Sequence, residues 1–206
     1  MIVTEMKFNE IKNQLKGYTV GIAGAGGLGS NCAIALARSG IGHLVIADHD
    51  IVENSNLNRQ YYFIDQVGMK KTEALKKNIE RINPEVEVDI YDKELTKENI
   101  PVIFRDCNII VEAFDKSEMK QILAETVLSL WPERPLIIGS GLAGYGKTNN
   151  LKERIIGSTL IVCGDEESEV TDESPSMAPR VGIVANMQAN AVVEILMKRE
   201  NNENNT

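Results

Sequence analysis

Cysteine, histidine, aromatic residues and positive charge are all scarce in this chain of 206 residues. Its three cysteines, Cys32, Cys107 and Cys163, lie far apart without a Cys-x-x-Cys pair, so neither a disulfide framework nor structural zinc is expected. The two histidines, His43 and His49, read as surface or packing residues. No apolar run approaches the roughly 18 residues of a spanning helix, and residues 1–16 lack the apolar centre of a secretory signal. That excludes a membrane partner by pattern and points to a cytoplasmic protein. With 22 Lys and Arg against 30 Asp and Glu, the net charge of −8 argues against an extended nucleic-acid surface while leaving room for a small basic pocket.

What remains is ample for one core. Hydrophobic residues make up 43% of the chain and charged residues 25%, enough for a single domain over residues 1–206. The organising stretch is 20–39, VGIAGAGGLGSNCAIALARS. Val20, Ile22 and Ala23 read as a strand buried on both faces, and Gly24, Gly26 and Gly29 satisfy the Gly-x-Gly-x-x-Gly spacing of a nucleotide-binding turn, enriched by Gly27. The helix from Ser30 onward is expected to present free N–H groups to an anion and to stop at Ser39-Gly40. His43 to Ala47 follows as a second strand. Asp48, 19 residues beyond Gly29, then stands where a carboxylate accepts hydrogen bonds from ribose hydroxyls, an arrangement that suits NAD and ATP equally.

The segment after Asp48 separates the two ligands. It is too polar for a crossover helix, and it groups Asn56, Arg59 and Gln60 on one expected helical turn capped by Asn54 or Ser55. Arg59 suits bidentate contact with phosphate, and Asn56 and Gln60 add donors. Lys70 and Lys71 open the next helix, to Asn83, at a position that the helix dipole disfavours for cations, which suggests that one of them answers to an anion. Strands are expected at Val86–Val88, Asn108–Glu112 and Leu136–Gly139, with helices at Thr96–Phe104 and Ser117–Trp131. Asp115, just past a strand, is placed either to overlook the ligand and hold magnesium or to cap the helix that follows. Arg154–Ile156 and Thr159–Val162 read as an added hairpin, 165–173 as a solvated acidic loop, Val181–Lys198 as a closing helix, and 200–206 as a disordered tail. The amphipathic pattern of residues 1–16, carried by Ile2, Met6, Ile11 and Leu15, suggests an N-terminal helix that packs on a partner subunit. The fold class is α/β, a doubly wound, mainly parallel, Rossmann-like sheet with a few added strands near the C-terminus.

Taken together, GAGGLGSN, ADHDIVENSNLNRQ, Lys71 and EAFDK with Asp115 resemble the ThiF and MoeB group of adenylyltransferases, which activate ubiquitin-like sulfur carriers, over roughly residues 18–145. The resemblance implies ATP- and magnesium-dependent adenylylation of the C-terminal glycine carboxylate of a small, ThiS-like carrier, with release of pyrophosphate. The short, zinc-free branch that serves thiamine thiazole synthesis is the nearest likeness. Carried over, Gly24, Gly26, Gly27 and Gly29 form the phosphate turn, Asp48 holds ribose, Asn56, Arg59, Gln60 and Lys71 surround the triphosphate, and Asp115 holds magnesium. Arg59, Lys71 and Asp115 are the expected catalytic set. A homodimer is implied too, although the arginine that relatives supply from the neighbouring subunit has no counterpart in residues 1–16, which contain only lysines. The loop before the last helix offers Thr171, Ser174 and Ser176 where some relatives place a cysteine, so the reaction is expected to stop at the adenylate, with that loop a flexible cover. Rival readings are an NAD-dependent oxidoreductase, an enzyme activating a tRNA adenosine, and a non-catalytic nucleotide-binding protein.

Overall fold

In the computed structural model, residues 7–203 are described, with side chains through Lys198. Helix α1 (Phe8–Leu15) leads into strand β1 (Thr19–Ala23), followed by α2 (Gly27–Ser39), β2 (His43–Asp48), α3 (Lys71–Ile82), β3 (Glu87–Asp92), the single-turn α4 (Ile100–Ile103) and β4 (Ile109–Glu112). Helix α5 (Ser117–Leu130), β5 (Leu136–Gly139), β6 (Lys152–Ile156), β7 (Leu160–Gly164) and α6 (Ala178–Glu203) complete the chain. The seven strands lie in the order β3-β2-β1-β4-β5-β7-β6, all parallel except for the β6–β7 hairpin. This is the doubly wound, Rossmann-like sheet with added C-terminal strands that the sequence predicts.

The central strands are apolar on both faces because helices cover both. One face packs Val20, Ile22, Leu44, Ile46 and Val111 against α2, α3 and α6; the other packs Val45 and Ile110 against Ile100 of α4, Phe104 just past its end, and Leu123 and Val127 of α5. The winding reverses between β1 and β4, so the carboxyl ends of β2, β1, β4 and β5 open onto one crevice.

Several boundaries differ from expectation for identifiable reasons. Helix α2 begins at Gly27, not Ser30: the Ser30 N–H already donates to the Gly26 carbonyl at 3.0 Å, which leaves the N–H groups of the glycine turn itself as the first of the helix. In α1, Ile11 and Leu15 pack on the chain's own core, whereas Phe8 is 62% exposed. The part of the predicted stripe carried by Ile2 and Met6 lies outside the described residues. Helix α6 begins at Ala178 and runs to Glu203, past the point where a tail was expected; positions 204–206 lie outside the described residues.

The 165–173 stretch is solvated over 169–173, but its start is fastened. Asp165 is buried against Arg180 of α6 at 2.6 Å, and Glu166 pairs with both ends of the Arg154 guanidinium. Burial alone would raise the Asp165 carboxyl, but hydrogen bonds from Ser168, Glu167 and Arg180 hold it below the usual carboxylate range.

Candidate functional site

The glycine turn is shaped by steric necessity. A Cβ on Gly29 would overlap the Gly24 carbonyl oxygen, so the start of α2 lies directly against the end of β1 only because residue 29 has no side chain. Gly29 is thus a packing glycine that faces the strand and does not line the crevice. Gly24, Gly26 and Gly27 do line it, and the first turn of α2 points its N–H groups the same way.

Three side chains bind the 54–62 segment to this turn. Ser30 Oγ donates to the Gly26 carbonyl at 2.6 Å and accepts the Tyr61 N–H at 3.0 Å; Asn31 Nδ2 bridges the Gly27 and Arg59 carbonyls at 2.7 and 3.0 Å. Tyr62 Oη donates to the Ala25 carbonyl at 2.7 Å in a buried position. Asn56 acts within the segment itself. Its Oδ1 accepts the Glu53 N–H, and its carbonyl accepts the N–H groups of Arg59 and Gln60. Asn56, rather than Asn54 or Ser55, therefore builds the turn that presents Arg59 and Gln60, and its own amide lies outside the crevice. Tyr62→Phe should leave the Ala25 carbonyl without its partner and cost about 1–3 kcal/mol, measured by urea denaturation.

Asp48, Arg59, Gln60, Lys71 and Asp115 all reach the crevice, which has a volume of about 700 Å³. Asp48 holds the turn: Oδ2 accepts the Ala25 N–H at 2.6 Å and Oδ1 the Asp50 N–H at 2.8 Å. Among the described residues the Arg59 guanidinium donates to nearby groups of its own segment, the Ser55 carbonyl at 3.2 Å and Asn58 Oδ1 at 2.8 Å, contacts that an anion can replace. Gln60 lines the crevice at 9% exposure, and its Oε1 is buried without a hydrogen bond among the described residues. Asp115 is exposed at the crevice and does not cap α5, whose N-cap residue is Lys116.

Lys71, 7% exposed in its side chain, donates to Asp50 Oδ2 at 2.7 Å. Burial would raise the Asp50 carboxyl, but the hydrogen bond and charge of Lys71 hold it below the usual range. Lys70 instead pairs with Asp92 on β3 at 3.1 Å. Of the two lysines that open α3, the structure thus turns Lys71 to the crevice.

The sequence reading missed Asp50, His49, Lys116 and Lys120 as crevice residues. His49, read as surface or packing, lies at its edge, 3.6 Å from Asp50; His43 bonds to Thr19 and Asp89 away from it. At the floor, the fully buried Glu112 receives Lys120 Nζ on both oxygens, at 3.0 and 2.8 Å, and the Phe114 N–H at 2.6 Å. The third Lys120 donor reaches the Gly139 carbonyl at 2.9 Å, so Lys120 joins the ends of β4 and β5 and has all three donors occupied. Burial raises the Glu112 carboxyl, partly offset by Lys120. A signal existed: an acid closing the run Ile109-Ile110-Val111 in a central strand requires a partner. The three cysteines are buried, and burial raises each thiol, to about 12 for Cys107 and Cys163. Of Thr171, Ser174 and Ser176, only Ser176 lines the crevice.

The arrangement is a cradle of N–H donors beneath two cationic side chains, with a carboxylate on either side. It suits a polyphosphate ester. The sequence matches the ThiF family over residues 3–206. It is 31% identical over 197 residues to the adenylyltransferase and sulfurtransferase UBA4 of Candida glabrata, covering 93% of this chain and 45% of that protein. It is 37% identical over 131 residues to a probable molybdopterin-synthase adenylyltransferase of Porphyra purpurea, covering 63% of this chain and 34% of that protein. The chain therefore spans less than half the length of these curated relatives. Among solved structures, Escherichia coli tRNA N6-threonylcarbamoyladenosine dehydratase, TcdA, in complex with ATP superposes with a TM-score of 0.85 at 21% identity, over 94% of this chain and 91% of that one. Escherichia coli MccB, solved with AMPCPP and MccA, superposes with a TM-score of 0.71 at 26% identity, over 91% and 58%. With the family matched along nearly its whole length, and with the glycine turn, Asp48, Arg59, Lys71 and Asp115 gathered in one crevice, this chain belongs to the ThiF family.

Proposed function

We propose that the protein adenylylates the C-terminal glycine carboxylate of a small ubiquitin-like carrier with ATP. The observation that carries this reading is the convergence of Arg59, Gln60 and Lys71 on the phosphate turn, a set for which an NAD-dependent oxidoreductase has no task. The carboxylate attacks the α-phosphorus, the bond to the bridging oxygen breaks, and pyrophosphate leaves with its electron pair. Negative charge approaches negative charge, so cations must screen the attack and stabilise the leaving group. Arg59 and Lys71 supply that charge, Lys71 by exchanging Asp50 for phosphate oxygens. The first N–H groups of α2 hold the phosphates, and Asp48 orients the ribose. No general base is required, because the nucleophile is ionised at neutral pH.

Asp115 has the chemistry for magnesium: it is an exposed carboxylate at the crevice with no hydrogen bond to other described residues, and such an ion is commonly held by one or two carboxylates plus phosphate oxygens. Magnesium, when bound, neutralises charge on the phosphates. Cys32, Cys107 and Cys163 lie far apart in sequence, which gives structural zinc no paired ligands, and the reaction ends at the carrier adenylate, since Ser176 has no hydrogen-bonded base among the described residues.

The thiamine assignment rests on the resemblance alone. The relatives carry the names of molybdopterin-synthase adenylyltransferases and adenylyltransferase-sulfurtransferases, so the proposal is drawn at the carrier's carboxylate rather than at a pathway. A homodimer follows from the same resemblance, with a smaller part for α1 than its stripe suggested, because Ile11 and Leu15 cover their own core. Cytoplasmic location stays with the sequence pattern; among the described residues, no helix is long and apolar enough to cross a membrane.

The test is exchange of labelled pyrophosphate into ATP, with and without a ThiS-like carrier ending in glycine, beside calorimetry with ATP and NAD. Exchange should require the carrier, and only ATP should bind. Tighter binding of NAD, or exchange that tRNA supports and the carrier does not, overturns the reading.

A further inference from the structure

One buried ion pair outside the phosphate region joins two crevice walls. Arg180, on the first turn of α6, is 2% exposed. Its Nη2 donates to Asp165 Oδ2 at 2.6 Å and its Nη1 to the Gly146 carbonyl at 2.8 Å. The other Asp165 oxygen accepts the N–H groups of Glu167 and Ser168 and the Ser168 hydroxyl, at 3.0, 2.8 and 2.9 Å. Ser168 Oγ then accepts the Ala143 N–H at 3.1 Å, and the Gly144 N–H donates to the Pro175 carbonyl at 2.9 Å. The loops 140–147 and 165–177 thus converge on a single guanidinium.

Backbone strain sits at the same two places. Among the described residues, the non-glycine residues in the left-handed region are Lys147, with φ of 47°, and Glu166, with φ of 59°. Each directly follows a residue that Arg180 binds, Gly146 and Asp165. Long side chains persist in that region only where the surroundings over-determine the backbone, and such strain clusters at ligand clamps. A pair serving stability alone has no reason to hold both strained positions beside a crevice.

These loops supply Ser140, Leu142, Ser168, Val170 and Ser176 to the crevice. They follow β5 and β7, whereas Asp48 ends β2, four strands from β7 in the sheet order. At about 4.8 Å per strand, the two ends lie roughly 19 Å apart, enough for nucleotide and acyl substrate to occupy different ends.

We infer that Asp165 and Arg180 are positioning residues for the acyl substrate: by holding both loops in strained form, they shape the wall along which the glycine-ended tail of the carrier lies. This rests on the adenylylation reading, and it adds the part of the crevice that receives the tail. Without the pair, the loops relax towards ordinary backbone geometry and the wall loses its shape, while the phosphate turn, fixed by Asp48, Ser30, Asn31 and Tyr62, keeps its own.

The test uses the full chain with Asp165→Asn, which retains an acceptor but loses the charge, and Arg180→Lys, which keeps the charge but not the two-pronged contact. Hydrogen exchange without substrate should show protection lost together in 140–147 and 165–177, by tenfold or more. ATP affinity by calorimetry should stay within twofold, and KM for the ThiS-like carrier in pyrophosphate exchange should rise at least tenfold, with kcat changed less than threefold. Arg180→Lys should lie between Asp165→Asn and the unaltered protein, and it serves as the measured variant if Asp165→Asn does not fold. Loosened loops with an unchanged KM would show a merely structural pair. Unchanged loop protection, or ATP affinity lost in parallel with KM, would equally overturn the inference. If the unaltered protein supports no carrier-dependent exchange, the proposed function fails and with it the substrate named for this wall, while the holding role is decided by the protection data.

Discussion

Replacing Arg59 with alanine is expected to slow pyrophosphate exchange by about 10²–10³-fold, the usual effect of removing one preorganised donor from developing charge. Folding should be unaffected, because among the described residues its guanidinium bonds to Ser55 and Asn58 of its own segment, while the position of its backbone is set by Asn31 and by the Asn56 carbonyl. Arg59→Lys should recover only part of the rate, since an ammonium keeps the charge without the planar fork that matches two phosphate oxygens. Thermal unfolding and exchange kinetics on the same preparations separate the two effects. Exchange near the unaltered rate, with an unchanged melting temperature, would reduce Arg59 to a surface residue and return the choice of nucleotide to the glycine turn, which does not distinguish ATP from NAD.

Lys120→Ala is expected to be the most destabilising of these changes, costing about 3–5 kcal/mol at neutral pH, because it leaves a fully buried carboxylate without its counter-ion. Lys120 is itself 30% exposed, which places the loss towards the lower end of that range. The effect should also depend on pH. Burial already raises the Glu112 carboxyl, and without Lys120 it rises further. A carboxyl with a folded-state pKa above its unfolded value binds more protons when folded. The Glu112 contribution to the variant's stability is therefore fully present below the unfolded pKa of about 4.3 and is lost as pH rises through the folded value. Urea denaturation from pH 4 to 8 should show the gap to the unaltered protein widening upward. A constant gap would mean that Glu112 finds another cation or water. Removing both partners, Glu112→Leu with Lys120→Met, should recover most of the stability, because no charge is then buried alone.

Both experiments bear on one feature of the crevice. Three of its cations have different tasks although they line the same space: Lys120 has every donor occupied within the protein, Lys71 has one exchangeable partner in Asp50, and Arg59 has neutral partners within its own segment. Readiness to meet a phosphate rises in that order, and charge alone would not have ranked them.

The order of strands and helices, the doubly wound sheet and the hairpin were legible in the sequence because each depends on short-range pattern: apolar runs for strands buried on both faces, 3.6-residue spacing for helices, and Gly157-Ser158 between two short strands. That Gly24, Gly26, Gly27, Asp48, Arg59 and Lys71 gather at one crevice was equally legible, since they lie within 48 residues of one another and their spacing along the chain carries the pattern. The tertiary structure alone decided the rest. Gly29 proved to be a contact between strand and helix, and Asn56 a scaffold for its neighbours, because packing distance is invisible in spacing. Asp165 read as one acid in a solvated run, yet it is buried by Arg180 from the next helix, and Glu112 found Lys120 across a turn. Local pattern signals at most that an acid closing a buried strand needs a partner, not which residue supplies it: burial changes what a charge must do, and only the folded chain determines which charges are buried and against what.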